Sequence, residues 1–255
     1  MASFRIRHVS AICLLAALLT TCLVTVGCLS SSTASLYLYS LEYCDEGTAD
    51  VYPDQKVTNI DAGSQFRSTF SGSSLVVRAG YFGTCIKSQS SVWSCSTDLH
   101  SLQEVAKNIE GDPANILNAV ELARNGMLLG PALIAAACLS FAAMILLIPR
   151  MPSAVWRGVA TSLALVATML VIIVAIAQNA VSYTVVNTAR GISNGGICAY
   201  TGSVAMGLAW FAIGATALAT VGIYIIHTAI NALSKEASSD DASSSHSKPY
   251  IQGSH

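Results

Sequence analysis

The sequence predicts a membrane α-helical fold, a bundle of four transmembrane helices carrying a small extracellular antiparallel β-sheet. Three observations lead there. Of 255 residues, 53% are hydrophobic and only 11% charged, about half the charge of an ordinary soluble domain. The apolar residues gather into four runs without Asp, Glu, Lys or Arg, each near the roughly 20 residues that a helix needs to cross a hydrocarbon core of about 30 Å. One long polar segment lies between the first two runs and carries β-rich stretches punctuated by glycine. The balance of 13 basic against 14 acidic residues offers no electrostatic footprint for nucleic acid. The mean hydropathy of +0.57 argues against a soluble enzyme or a disordered chain.

Residues 1–8 form a short cytoplasmic N-terminus bearing Arg5 and Arg7, and span one covers 9–30. A basic start followed by an apolar run also fits a cleaved leader, but this run is longer than a leader's core, so it is read as a retained span. Residues 31–125 are the extracellular segment. Span two covers 126–148, a cytoplasmic link 149–157 holds Arg150 and Arg157, and span three covers 158–186. A second extracellular loop occupies 187–202, span four 203–228, and a disordered, serine-rich cytoplasmic tail 229–255. Arg5, Arg7, Arg150, Arg157 and Lys235 flank the spans on one side, which by the positive-inside rule puts both termini in the cytoplasm. Arg124 and Arg190 fall on the other side and count against it. In lipid no water satisfies backbone amides, so all four runs should be helical.

Residues 31–124 hold eleven acidic and six basic side chains. Strand-like stretches run over 35–39, 64–70, 74–78 and 91–95, with Gly63, Gly72 and Gly83 as turn residues. Leu102, Val105, Ala106 and Ile109 recur at helical spacing. Asp112-Pro113 reads as an N-cap with proline at the first helical position. It should open a helix that runs through Ile116, Leu117 and Val120 straight into span two. Cys13, Cys22, Cys28 and Cys138 are assigned to spans, where cysteine serves as a small apolar residue. Cys44, Cys85, Cys95 and Cys198 are extracellular, an even number that implies disulfides. Three pairings are possible. A hairpin between Cys85 and Cys95 favours that pair and leaves Cys44 for Cys198.

The most specific local pattern is Gly80-Tyr81-Phe82-Gly83-Thr84-Cys85, followed by Trp93 and Cys95. It resembles the Gly-Leu-Trp-x-x-Cys-x(8 to 10)-Cys signature of the claudin-like tetraspan superfamily, with Tyr81-Phe82 standing in place of Leu-Trp. The wording Gly-Tyr-Phe-Gly before a cysteine is similar to the fungal calcium-regulator and membrane-fusion family, tetraspan proteins induced during mating. That resemblance implies a multi-pass plasma-membrane protein in cell fusion and in regulation of calcium influx, with a homo-oligomer, a calcium channel or a fusion protein as partner. Gly80, Tyr81, Phe82, Gly83 and Trp93 are then the candidate partner-contact residues. Alternative readings are a structural organiser of plasma-membrane domains, like eisosomal or pH-sensing tetraspans, or a subunit of an oligomeric pore running past Gln178, Asn179 and Ser182.

Other chemistry is sparse. No span carries Asp, Glu, Lys or Arg of the kind that coupled transporters need, His227 at the cytoplasmic edge of span four reads as an interfacial histidine, and no phosphate-binding glycine loop occurs. Gly191-Ile192-Ser193-Asn194-Gly195 matches the letters of a nucleophile elbow but lacks its strand-to-helix setting, and reads as a turn. No enzyme activity, metal or cofactor is expected. Glu42, Asp45, Glu46, Asp50 and Asp54 make an acidic stretch able to attract cations, without the spacing of a calcium loop. Ala205, Ala209, Ala215 and Ala219 with Gly207, Gly214 and Gly222 give span four a small-residue face for close helix contact.

Overall fold

The computed structural model describes residues 2–44, 75–88, 92–108, 112, 115–125, 129–147, 154–193 and 196–244. The expected strand at 64–70, the acidic residues Asp45, Glu46, Asp50 and Asp54, and the basic link from Pro149 to Ser153 lie outside them. In chain order the elements are α1 (Ala2–Thr25), β1 (Tyr39–Tyr43), β2 (Val76–Ala79), β3 (Thr84–Lys87), β4 (Ser94–Ser96), α2 (Leu99–Asn108), α3 (Ile116–Asn125), α4 (Leu129–Leu147), α5 (Ala154–Ile192), β5 (Ile197–Thr201) and α6 (Ser203–Ser244).

Four helices are long and apolar enough to cross a membrane, at Ile6–Thr25, Leu129–Leu147, Gly158–Ile192 and Ser203–Ala232. They close a ring in which α1 packs on α6 and α4, and α5 packs on α4 and α6. The distribution of side-chain size is that of a bundle in lipid. Small residues such as Ala136, Ala143, Ala164, Ala167, Ala212 and Ala219 are buried inside. Large ones face outward: Val9, Ile12, Leu19 and Leu23 of α1, Phe141 and Ile145 of α4, Met169 and Ile173 of α5, and Phe211, Leu218 and Val221 of α6. Lipid tails are as apolar as leucine, so association rests on close packing and hydrogen bonds rather than on hiding large side chains. At the α1–α6 contact, Gly222 leaves room for Ser10, whose hydroxyl a methyl group at 222 would overlap. Between α5 and α6, the Thr168 and Thr220 hydroxyls meet at 2.8 Å.

The sheet stands on one end of the bundle with strand order β4-β3-β2-β1-β5, every neighbouring pair antiparallel. One face carries Tyr39, Leu41, Val77, Ala79 and Ile86 into a core shared with Leu102 and Ala106 of α2, Ile116, Leu117 and Val120 of α3, and Val174 and Val186 of α5. Asp98 caps α2 by accepting the His100 amide at 3.1 Å.

Several boundaries differ from those the sequence suggests. Span one ends as a helix at Thr25. The chain then turns through Cys28, which has φ of 60°, and a short helical turn at Ser31–Thr33. Residues 34–38 continue this turn, held by the Cys28 and Leu36 amides bonding to the Thr33 carbonyl, so β1 starts only at Tyr39. Cys28 thus lies off the span, fully buried under the sheet. Asp112 does cap α3, but from four residues away. Its carboxylate accepts the Ile116 and Leu117 amides at 2.7 and 2.9 Å, and Asn115 between them turns through a left-handed φ of 52°. α3 is described to Asn125 and α4 from Leu129, and the junction at 126–128 lies outside the described residues. α3 buries its apolar face in the sheet core and α4 packs in the bundle, so two helices serve two layers.

Helix α5, about 58 Å long at 1.5 Å per residue, outreaches the hydrocarbon core and carries the first part of the expected second loop, through Ile192, as helix. Its later part forms β5 at Ile197–Thr201. Helix α6 continues through Ser244, where the sequence suggests a disordered tail from 229. Extension of an existing helix adds a hydrogen bond for each residue fixed, and Ala232, Leu233, Lys235, Glu236 and Ala237 favour it.

Candidate functional site

The Gly80–Gly83 turn is where sheet and bundle interlock. It closes through a hydrogen bond from the Gly80 amide to the Gly83 carbonyl at 2.8 Å and points into the ring of helices. Tyr81 is 8% exposed, and its hydroxyl donates to Gln178 Oε1 of α5 at 2.7 Å. Burial holds the Tyr81 phenol above its ordinary pKa, so it remains a neutral donor. A cavity of about 20 Å³ beside this pair is lined from α1 by Thr21 and Val24, from α4 by Leu133, from α5 by Val174 and from α6 by Leu208, room for about one water. The Phe82 ring lies against Gly130 in the first turn of α4, 2.8 Å from where a Cβ at that glycine would stand.

The glycines of the motif are needed for space. Neither has a left-handed φ, but a methyl at Gly83 would overlap the Cys28 carbonyl oxygen, and one at Gly80 that of Gly27. The sequence reading missed two partners in this backbone knot. Gly27 runs against the Leu36 carbonyl and Gly202 against that of Tyr37. The signal available was a glycine at each junction where the chain passes between a span and the sheet.

Four of the five motif residues, Gly80, Tyr81, Phe82 and Gly83, therefore face the protein itself. Tyr81 and Gly83 are buried, and Phe82 is half-buried against α4, so the expectation that these rings meet a partner is corrected by the packing. Trp93 is different. It lies on the opposite sheet face, its ring centroid 4.3 Å from the Arg78 guanidinium carbon, which also lies 4.6 Å from the Tyr37 ring.

The disulfides are Cys85–Cys95, joining directly opposed residues of β3 and β4, and Cys44–Cys198, joining the end of β1 to β5 across 154 residues. The second ties the segment after span one to the strand between spans three and four. Cys28, free and buried, packs against Cys85, Trp93 and Cys95, and burial pushes its thiol up to about 12.

Glu42 is half-buried on β1, opposite Val76 and Cys198. Among the described residues no three His, Cys, Asp or Glu side chains gather as metal ligands. Ser193 is buried, and its Oγ accepts the Ile197 amide at 3.0 Å, which fastens β5 to the end of α5. Arg190 donates to the Ala199 carbonyl. Arg124 donates to Thr84 and to the Thr97 carbonyl. The two arginines that run against the charge rule are thus bonded to the sheet.

Four apolar spans and a crosslinked sheet keyed into them define a multi-pass membrane protein with a domain on one face. The chain matches the family model described as Ca2+ regulator and membrane fusion protein Fig1 over residues 62–229, and it belongs to that family. The match takes in the turn, both cysteines of the hairpin and the last three spans. No curated protein matches the chain.

Proposed function

We propose that the protein acts at the plasma membrane of a fungal cell in mating cell fusion and in regulation of calcium influx, without enzymatic activity of its own. The family match across residues 62–229 carries this reading. The two disulfides support a sheet domain facing an oxidising exterior. With the sheet outside, both chain termini lie in the cytoplasm, as the basic flanks of the spans also suggest. The sheet is then the part presented to a mating partner, and the bundle the part that meets a channel or a second copy in the membrane. Deletion is expected to reduce calcium uptake after pheromone and to leave paired cells unfused. Normal uptake together with normal fusion overturns the proposal. Protease protection that places Trp93 in the cytoplasm overturns the topology separately.

A further inference from the structure

Across the sheet from the buried core, one face carries two cations, Arg78 and Lys87. Arg78 of β2 stands opposite Cys85 of β3, and Lys87 follows two residues later on the same strand. That makes them diagonal neighbours about 7 Å apart. The Trp93 ring serves both, with Arg78 at 4.3 Å and the Lys87 ammonium at 5.8 Å from its centroid. The guanidinium also packs over the Tyr37 ring at 4.6 Å. Of the Arg78 donors, Nη1 is taken by the Ala34 carbonyl at 3.1 Å and Nε is buried without a partner, which leaves Nη2 for a ligand. Glu42 shares this face, but its cross-strand neighbours are Val76 and Cys198. Among the described residues no carboxylate pairs with Arg78 or Lys87.

A guanidinium packed against two rings and tied through Nη1 to the Ala34 carbonyl loses little further freedom when a carboxylate docks on its Nη2 donors. Residues i and i+2 of an extended strand lie about 6.7 Å apart on one side, close to the separation of these cations. Both cations, Trp93 and Tyr37 are half-buried, so they are held in place and still reachable. The cations also step along the strands away from the Tyr81 turn that enters the bundle.

We propose that the Tyr37–Arg78–Trp93–Lys87 face binds an acidic polypeptide segment in extended conformation, with carboxylates at alternate positions. This stands independently of the fusion reading. The test uses the full chain in nanodiscs of neutral lipid and a fluorescein-labelled peptide of alternating Glu and Thr, followed by anisotropy and by quenching of tryptophan fluorescence. Binding is expected to weaken as salt rises and to be lost with the Gln-for-Glu peptide. Lys87→Gln, which disturbs no described hydrogen bond, should weaken it about five-fold, and Arg78→Gln about ten-fold. A melting temperature for each variant separates lost binding from lost fold. Equal binding of the Gln peptide, unchanged affinity in folded Lys87→Gln, or binding only to nanodiscs containing anionic lipid would overturn it.

Discussion

Changing Tyr81 to Phe removes one oxygen and leaves the ring that fills the space between Val24, Leu133, Val174 and Leu208. The change therefore isolates the hydrogen bond to Gln178. The donor is 8% and the acceptor 3% exposed, at 2.7 Å, so the carboxamide oxygen loses its partner where water has little access. Leaving a buried acceptor unpaired costs about 1–3 kcal/mol in soluble proteins, whereas interhelical pairs in membranes average about 0.6 and reach about 1.7 kcal/mol. The turn enters from the sheet and is buried by all four helices, so about 1 to 1.5 kcal/mol is expected. Gln178→Met removes the acceptor at similar volume. When both partners are gone nothing is left unpaired, so the double variant should be about 1 kcal/mol more stable than the two single losses added together. The assay is reversible unfolding in mild detergent, run as a four-member cycle. Coupling below about 0.3 kcal/mol, the range of independent sites, would refute the claim that this pair locks sheet to bundle.

Gly83→Ala drives a methyl into the Cys28 carbonyl and should cost more than about 2 kcal/mol by overpacking. Gly214→Ala, with nothing within 4 Å of its new methyl, should be neutral or slightly stabilising, and the two melting temperatures in detergent compare them directly. By loop closure, opening Cys44–Cys198 should cost up to about 5 kcal/mol and opening Cys85–Cys95 up to about 3 kcal/mol. Double alanine variants should melt in that order. Cys28 should resist maleimide at pH 8 in the folded protein and react after denaturation, since burial pushes its thiol up to about 12 and shields it from the reagent. The buried phenols of Tyr39 and Tyr81 are held above their ordinary pKa by burial. In the unfolded chain they ionise near pH 10. Their contribution is therefore complete below that pH and is lost above it, by up to about 1.4 kcal/mol per pH unit for each phenol, which alkaline unfolding curves would record.

The four spans are legible because lipid imposes a one-dimensional rule, length and absence of charge, that a single sequence displays. The hairpin disulfide is legible for a similar reason, since Cys85 and Cys95 are close along the chain. What needs the third dimension is less visible. Strand β5, Ile197–Thr201, has the right residues and flanking glycines, but five residues between two long helices give no alternation to count, and its partner β1 lies more than 150 positions earlier. The roles of Tyr81 and Phe82 were obscured by chemistry that suits both a membrane boundary and a core. The choice is made by Gln178, a polar residue in an apolar span, and by Gly130, the gap that Phe82 fills. Neither carries a local mark of its purpose. Cys28 shows the same limit from the other side, since an apolar run continuing past Thr25 conceals where the helix stops.

The knot of Gly27, Gly80, Gly83 and Gly202 also constrains how the sheet can move. At these contacts, backbone meets backbone without an intervening side chain, so no rotamer change can absorb a shift. Flexible aromatic contacts might otherwise permit the sheet to rock as a lid. Here a displacement of the sheet must either break the Tyr81–Gln178 bond and withdraw two rings from the bundle, or carry α1, α5 and α6 with it. The first route uncovers an apolar turn and leaves two buried polar groups unpaired, costs of several kcal/mol together. The second requires only small shifts between helices whose facing surfaces are rich in alanine, serine and threonine. Strain applied to the sheet is therefore passed to the helix contacts in preference to being released at the joint. Comparing hydrogen exchange of α5 and α6 before and after Tyr81→Ala should show faster exchange near Gln178 while the α1–α6 contact at Ser10 and Gly222 keeps its protection, and uniform loosening of the whole bundle would count against a joint of this kind.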